Sequence, residues 1–188
     1  MTAPDQPALL TTIGAGDSVS FADVVTEAFG TEKVLSPLVV ETLGRRSVTI
    51  RAAAYGTRED KIFRPEPIAI SYGATWSPIR VLQGLSFTDD FRTNVGLVNL
   101  SDKTTTFTIA VQRLPGRNLA VSRIAIPGMS MWHVPIQQLF PMITKGDDFS
   151  LVIETSEPET YVYASVVENA TNEARFIQAQ VGTSALVQ

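Results

Sequence analysis

Apolar and polar residues alternate with period two through the second half of the chain. In "TFTIAVQ", Phe107, Ile109 and Val111 fall on one side, and Thr106, Thr108, Ala110 and Gln112 on the other. "FSLVIET" places Phe149, Leu151 and Ile153 on one face. "TYVYASVV" sets Tyr161, Tyr163 and Ser165 against Val162, Ala164 and Val166. These runs are short and rich in β-branched and aromatic residues, which predicts strands with one face wet and one buried. "LSDKT" and "LPGRN" separate neighbouring runs with the residues that tight turns require. The spacing predicts an antiparallel sandwich. Helical periodicity is confined to "DVVTEAFG", with Asp23 as N-cap and Gly30 as stop, and "VPIQQLF", with Pro135 at its start.

One pentapeptide occurs twice in nearly the same form. "LVVET" begins at position 38 and "LVIET" at 151, an offset of 151 − 38 = 113. The same offset lays Ile13 on Ile126, Ala52 on Ser165 and Phe63 on Phe176. Between these anchors the order of features also matches. Each half has a Gly-containing turn ("GAGDS", "PGMSM"), a short helical segment, the repeated strand, a longer strand and a polar loop. A repetition of this kind reads as two copies of one supersecondary unit. The downstream copy is preceded by three further predicted strands, the upstream copy by about a dozen residues. The expected architecture is therefore all-β: one complete antiparallel sandwich unit over 67–188, and a partial repeat of its second half over 1–66. A half sandwich leaves an open edge and an uncovered apolar face. Either the two parts share one enlarged sandwich, or another chain or a preceding segment covers them; the latter is the expectation.

Composition narrows the functions. The chain has 188 residues, long enough for a core that needs no staples. Fifteen basic against nineteen acidic residues leave a net charge of −4, so no nucleic-acid partner is expected, since a phosphate backbone needs clustered Lys and Arg. The adjacent Arg45 and Arg46 read as solvated. Cysteine is absent, so thiol catalysis, disulfides and thiolate zinc sites are excluded. A cysteine-free chain fits the cytosol or the outside of a bacterium equally. "MTAPDQPALL" lacks the basic start and apolar run of a signal segment, and no membrane span is expected.

The segment from about 87 to 179 resembles a bacterial exported β-sandwich repeat. The likeness rests on Phe91, Arg92, Thr93, Asn94, Gly96, Leu97, Val98 and Asn99, then on Tyr163, Ala164, Ser165, Val166, Val167, Asn169 and Phe176. It implies a module of secreted or surface proteins. The strand order is also similar to the small sandwich of sensory-rhodopsin transducer proteins, which implies a soluble oligomeric binding module. Neither resemblance brings an active site. Within the motif, Arg92 at a strand start is expected to bind carbonyls at the sandwich end. Asn94 and Asn99 are expected to bind loop backbone. Gly96 inside a strand signals a bulge or a large side chain packed close.

Candidates for chemistry are few. His133 is the single histidine, and no G-x-S-x-G elbow accompanies it. No catalytic residue is assigned, and no enzyme is expected. The pairs Asp89–Asp90 and Asp147–Asp148 each precede a Phe that starts a strand. They are turn formers first, and calcium is the cation their oxygen ligands would suit; no other cofactor is expected. Glu41 and Glu154 occupy equivalent places in the repeat and read as structural. Trp76, Trp132 and Tyr72 are the aromatic side chains suited to stacking on a sugar ring, against the plainer reading that they plug the core. "GAGDS" and "PGMSM" lack the Gly-Lys-Ser/Thr of a phosphate loop and are turns.

The expected function is a structural or assembly module outside the cell or at its surface, with other chains or copies of itself as partners through sheet edges and loop tips. The alternative is a module that binds carbohydrate or another small ligand.

Overall fold

In the computed structural model, described residues are 8–31, 38–41, 49–50, 77–113 and 117–182, with the backbone of four two-residue strands between 53 and 67. The chain divides into two compact units, Met1–Val39 and Val40–Gln188.

The first unit is built from local signals. Asp23 caps α1 (Val24–Phe29) as its sequence predicts: its Oδ1 accepts the backbone N–H of Val25 at 3.1 Å and of Thr26 at 3.2 Å. Gly30, at φ 61°, stops the helix, and its N–H donates to the Thr26 carbonyl. A turn precedes it, with Gly16 at φ 85°. No residue of 8–31 is buried. Leu9, Leu10, Ile13, Val19, Phe21 and Leu38 are instead exposed large apolar side chains.

The second unit opens with four short strands, β1 (Ala53–Ala54), β2 (Thr57–Arg58), β3 (Lys61–Ile62) and β4 (Glu66–Pro67). β1 pairs with β4 and β2 with β3. The sandwich follows: β5 (Ile79–Phe87), β6 (Phe91–Asn99), β7 (Thr105–Arg113), β8 (Arg117–Ile126), β9 (Ser130–Pro135), the short helix α2 (Ile136–Leu139), β10 (Gly146–Glu154), β11 (Thr160–Glu168), β12 (Ala174–Gln178) and β13 (Gln180–Val181). One sheet has the order β13-β5-β10-β7-β8 and the other β12-β11-β6-β9. Every pairing is antiparallel. The protein is an all-β antiparallel sandwich with short helices only. Among the described residues no helix is long and apolar enough to cross a membrane.

The core lies between the two sheets and is the alternating set the sequence marks out. Phe107, Ile109 and Val111 of β7, Phe149, Leu151 and Ile153 of β10, and Val162, Ala164 and Val166 of β11 are all buried. Ala110, assigned to the wet side, is buried too; it is small, and Val121 and Val152 flank it across the two pairings. Residues 174–182 stitch the two layers together on one side. They pair first with β11, through β12, and then with β5, through β13. Ala179 donates to the Val162 carbonyl and Gly182 to the Ile79 carbonyl on either side of the switch.

The internal repeat is matched in some features and not in others. The turns correspond, with Gly16 and Met129 at positive φ 113 positions apart, and so do α1 and α2. The repeated pentapeptide does not. Leu151–Glu154 lies in β10 between β5 and β7, with Leu151 and Ile153 fully buried. Leu38–Glu41 belongs to no strand, and Leu38, Val39 and Val40 are each about half exposed. Ile13 is likewise exposed, whereas Ile126 is buried in β8. The expected upstream strand does not form at 38–41, where no described residue pairs with the backbone. Ala52 and Phe63 lie outside the described residues.

Candidate functional site

The open side of the sandwich, where β8 and β9 are the terminal strands of their sheets, is the feature with most capacity to bind. β8 has ten residues and, among the described residues, hydrogen-bonds on one side only, to β7. From Ala120 to Ile126 it runs in unbroken register with β7. The register slips at Leu119, which bulges out. Ala120 and Ile124 face the core, while Leu119, Val121 and Arg123 are exposed on the outer side. A free edge of this length is a template for another strand. Arg123 and the Leu119 bulge are features that restrict which strand fits.

Trp132, on β9, is 44% exposed beside this open edge. It is opposite Leu97, a core residue, so its ring starts from the inner face of the sandwich margin. Trp76 and Tyr72, named with it as stacking residues, lie outside the described residues.

A second aromatic group occupies the outer face of the four-stranded sheet. Gly96 stands between Tyr163 on β11 and His133 on β9 in one cross-strand row. A Cβ on Gly96 would overlap the Tyr163 ring, so that ring lies across the glycine. Its hydroxyl meets His133 Nδ1 at 2.9 Å. Tyr161 and Phe176 flank it, with ring centroids at 6.3 and 5.1 Å and planes tilted by 31° and 27°. Burial pushes the His133 pKa down and the Tyr163 pKa up, so both are neutral at pH 7. Among the described residues, the hydrogen bond of His133 is to Tyr163 and none to a carboxylate joins it. Sequence reasoning singled out His133 and Gly96 but not the tyrosines that join them. The signal was the glycine itself, whose partner across the strand had to be large.

His133 gives a pH test. Its folded pKa is lowered below the unfolded value, so the neutral imidazole stabilises the fold above about pH 6.5. That contribution is lost as pH falls through the folded value. Denaturant unfolding at pH 7.5 and pH 5 is expected to show a drop that His133→Gln reduces; equal drops in both proteins would count against a buried neutral His133.

The acid pairs sit at the opposite end of the strands from Asn99 and Thr160. Asp89 and Asp90 lie in the β5–β6 turn, and Asp147 and Asp148 open β10, where the register shifts and Asp148 takes φ 61°. Gly146 pairs with Phe87, which brings the two acid-bearing stretches to the same end. Lys145 then forms an ion pair with Asp89. Among the described residues no three His, Cys, Asp or Glu side chains come together as a metal group. The structure thus shares the pairs out among a lysine contact, a turn and a bulge. Asn169 binds this turn by donating from Nδ2 to the Asp89 carbonyl. Arg92 completes it, with Nη1 donating to Asn169 Oδ1 at 2.8 Å and Nη2 to Asn172 Oδ1 at 2.9 Å. The carbonyls expected for Arg92 are therefore those of two asparagine side chains.

Neither a known protein family nor a curated protein matches the sequence. Several solved structures are similar over part of it, among them the following two. Thermotoga maritima 1070 is 16% identical with a TM-score of 0.46, the match covering 58% of this chain and 96% of that one. The Anabaena sensory rhodopsin transducer is 18% identical with a TM-score of 0.40, covering 47% and 81%. The transducer resemblance is thereby met as a weak likeness of fold; neither score is high enough to carry a statement about a site or an activity.

Proposed function

We propose that the chain is a non-enzymatic assembly module that accepts a strand from a second copy of itself on the free edge of β8. The observation that carries the reading is a pair of complementary defects. Among the described residues, β8 is a long strand paired on one side only. Leu38–Glu41 is a strand-forming sequence in no strand, with its apolar side chains exposed. Its near copy already forms part of the sheet that β8 terminates.

The chemistry of the two segments fits in one antiparallel register. With Glu41 opposite Arg123, Val40 meets Ile124 and Leu38 meets Ile126 along the core-facing side. Val39 meets Ala125 on the outer side, where the carboxylate also finds the guanidinium. Backbone hydrogen bonds supply affinity and the ionic pair fixes register. The exported-repeat resemblance extends this reading to a place outside the cell or at its surface.

Light scattering tests it. The wild-type mass is expected to rise with concentration. Val40→Lys, at an exposed position, and Arg123→Glu should each weaken association about tenfold or more, a loss of about 1.4 kcal/mol. Combining Arg123→Glu with Glu41→Arg should restore much of it. A strictly monomeric wild type, or variants that associate equally well, would overturn the proposal.

The second reading, a carbohydrate or small-ligand module, is favoured by one observation: Trp132 is exposed beside an open edge. Tryptophan emission that shifts with a glycan panel, and stops shifting in Trp132→Ala, would support it.

A further inference from the structure

The strand ends that carry Ile79, Asn99, Thr105 and Thr160 make one polar end of the sandwich. Ser77, Arg80, Asn99, Ser101, Thr105, Thr155 and Thr160 are all buried there. Six of these are neutral. Arg80, the second residue of β5, is not, and it is only 9% exposed. Arginine is seldom buried unless an anion accompanies it. No carboxylate does so among the described residues, where the ion pair is Lys145–Asp89, at the other end of the strands.

Among the described residues, one bond holds the Arg80 head. Nη1 donates to the Thr160 carbonyl at 2.6 Å, tying one sheet to the other. The other guanidinium N–H groups bond to none of the described residues and reach solvent. Close by is Tyr161, the residue after Thr160. Its hydroxyl oxygen is fully enclosed and has no hydrogen-bond partner among the described residues. Burial and Tyr163 raise the Tyr161 pKa to about 12 against the opposing pull of Arg80, which is bonded to the carbonyl of the preceding residue. At neutral pH the phenol is therefore protonated and able to donate.

A bridge between sheets explains one N–H of Arg80. It leaves unexplained the rest of the fork and the neighbouring hydroxyl. Those groups can all donate, the hydroxyl being able to accept as well, and the guanidinium carries a full positive charge. Their complement is a group that only accepts and is negatively charged. We propose that Arg80 and Tyr161 form a binding site for a small oxyanion, the carboxylate or phosphoryl group of a ligand, at the polar end of the sandwich. Arg80 supplies charge and a two-pronged contact through its solvent-facing N–H groups. Tyr161 supplies a third donor once its ring turns to uncover the enclosed hydroxyl. The site is separate from the free edge of β8, so either is testable without the other.

Calorimetry with inorganic phosphate and with acetate, each against chloride at equal ionic strength, tests the proposal. Wild type is expected to bind at least one of them saturably. Binding of phosphate alone assigns a phosphoryl ligand, and of acetate alone a carboxylate. Arg80→Met should weaken binding about tenfold or more. Tyr161→Phe should weaken it several-fold while the ligand-free protein melts no lower than wild type, since the hydroxyl removed has no partner to lose. A merely structural tyrosine would not separate these two readouts. If Arg80→Met does not fold, Tyr161→Phe decides alone. No saturation beyond the chloride control with either anion, or unchanged binding in Tyr161→Phe, would overturn the proposal.

Discussion

Asn99→Ala is expected to destabilise the sandwich by about 3 kcal/mol or more, seen as a melting temperature lowered by about 10 °C. Asn99 is the last residue of β6 and has no exposed surface. Its Nδ2 donates to the carbonyls of Lys103 at 2.6 Å, Ile126 at 3.0 Å and Pro127 at 3.0 Å. Its Oδ1 accepts from the backbone N–H and the hydroxyl of Ser101. One side chain thereby satisfies both the β6–β7 loop and the end of β8. Alanine removes the side-chain partner of two buried backbone groups, the Ile126 carbonyl and the Ser101 N–H, and of two partly buried carbonyls; a buried group left unpaired costs about 1–3 kcal/mol. Asn99→Asp separates this account from simple loss of volume. A carboxylate would face three carbonyl oxygens, so its folded pKa would be raised. That variant should be worse than alanine at pH 7 and recover as pH falls through the raised folded pKa towards the ordinary carboxylate range, where the acid is protonated in both states. Denaturant unfolding of both variants at pH 7 and pH 4 checks it. A loss below about 1 kcal/mol, or no recovery of the aspartate in acid, would show that the loop does not depend on this side chain.

Gly96→Ala should cost about 2–3 kcal/mol although it adds one methyl group to a strand. The methyl would sit where the Tyr163 ring lies, and the ring cannot leave without giving up His133 and its contacts with Tyr161 and Phe176. The loss comes from one neighbour, so a double-mutant cycle can find it. Tyr163→Ala is destabilising in its own right, but in that background Gly96→Ala should be nearly neutral. Equal cost of Gly96→Ala with and without Tyr163 would mean that backbone strain, not the ring, is responsible.

Much of the fold was legible because its signals are local. β7, β10 and β11 follow from alternation, and α1 from a cap and a stop that a few residues can specify. Gly96 announced a large neighbour, and Asn99 a role in loop backbone, because small and amide residues inside strands have few other uses. The site residues were less legible. Tyr161, Tyr163 and His133 are brought together by strand register across β11, β6 and β9, which no single stretch of sequence encodes. Arg80 was overlooked for a similar reason: its burial depends on a sheet crossing to Thr160, eighty positions away. The repeated pentapeptide misled for the opposite reason. Leu-Val-Val-Glu has the propensity of a strand, yet propensity needs flanking strands before it becomes structure.

Each flank of the sandwich is crossed by one continuous segment: residues 174–182 switch from β11 to β5, and residues 117–135 from β7 to β6. The flanks differ in the edge strand each leaves outermost in the larger sheet, two residues in β13 against ten in β8. Any growth by strand exchange is thus one-directional, and a single guest on β8 uses up the vacancy. A reciprocal exchange between two molecules would be self-terminating: a closed pair with two-fold symmetry, not a fibre.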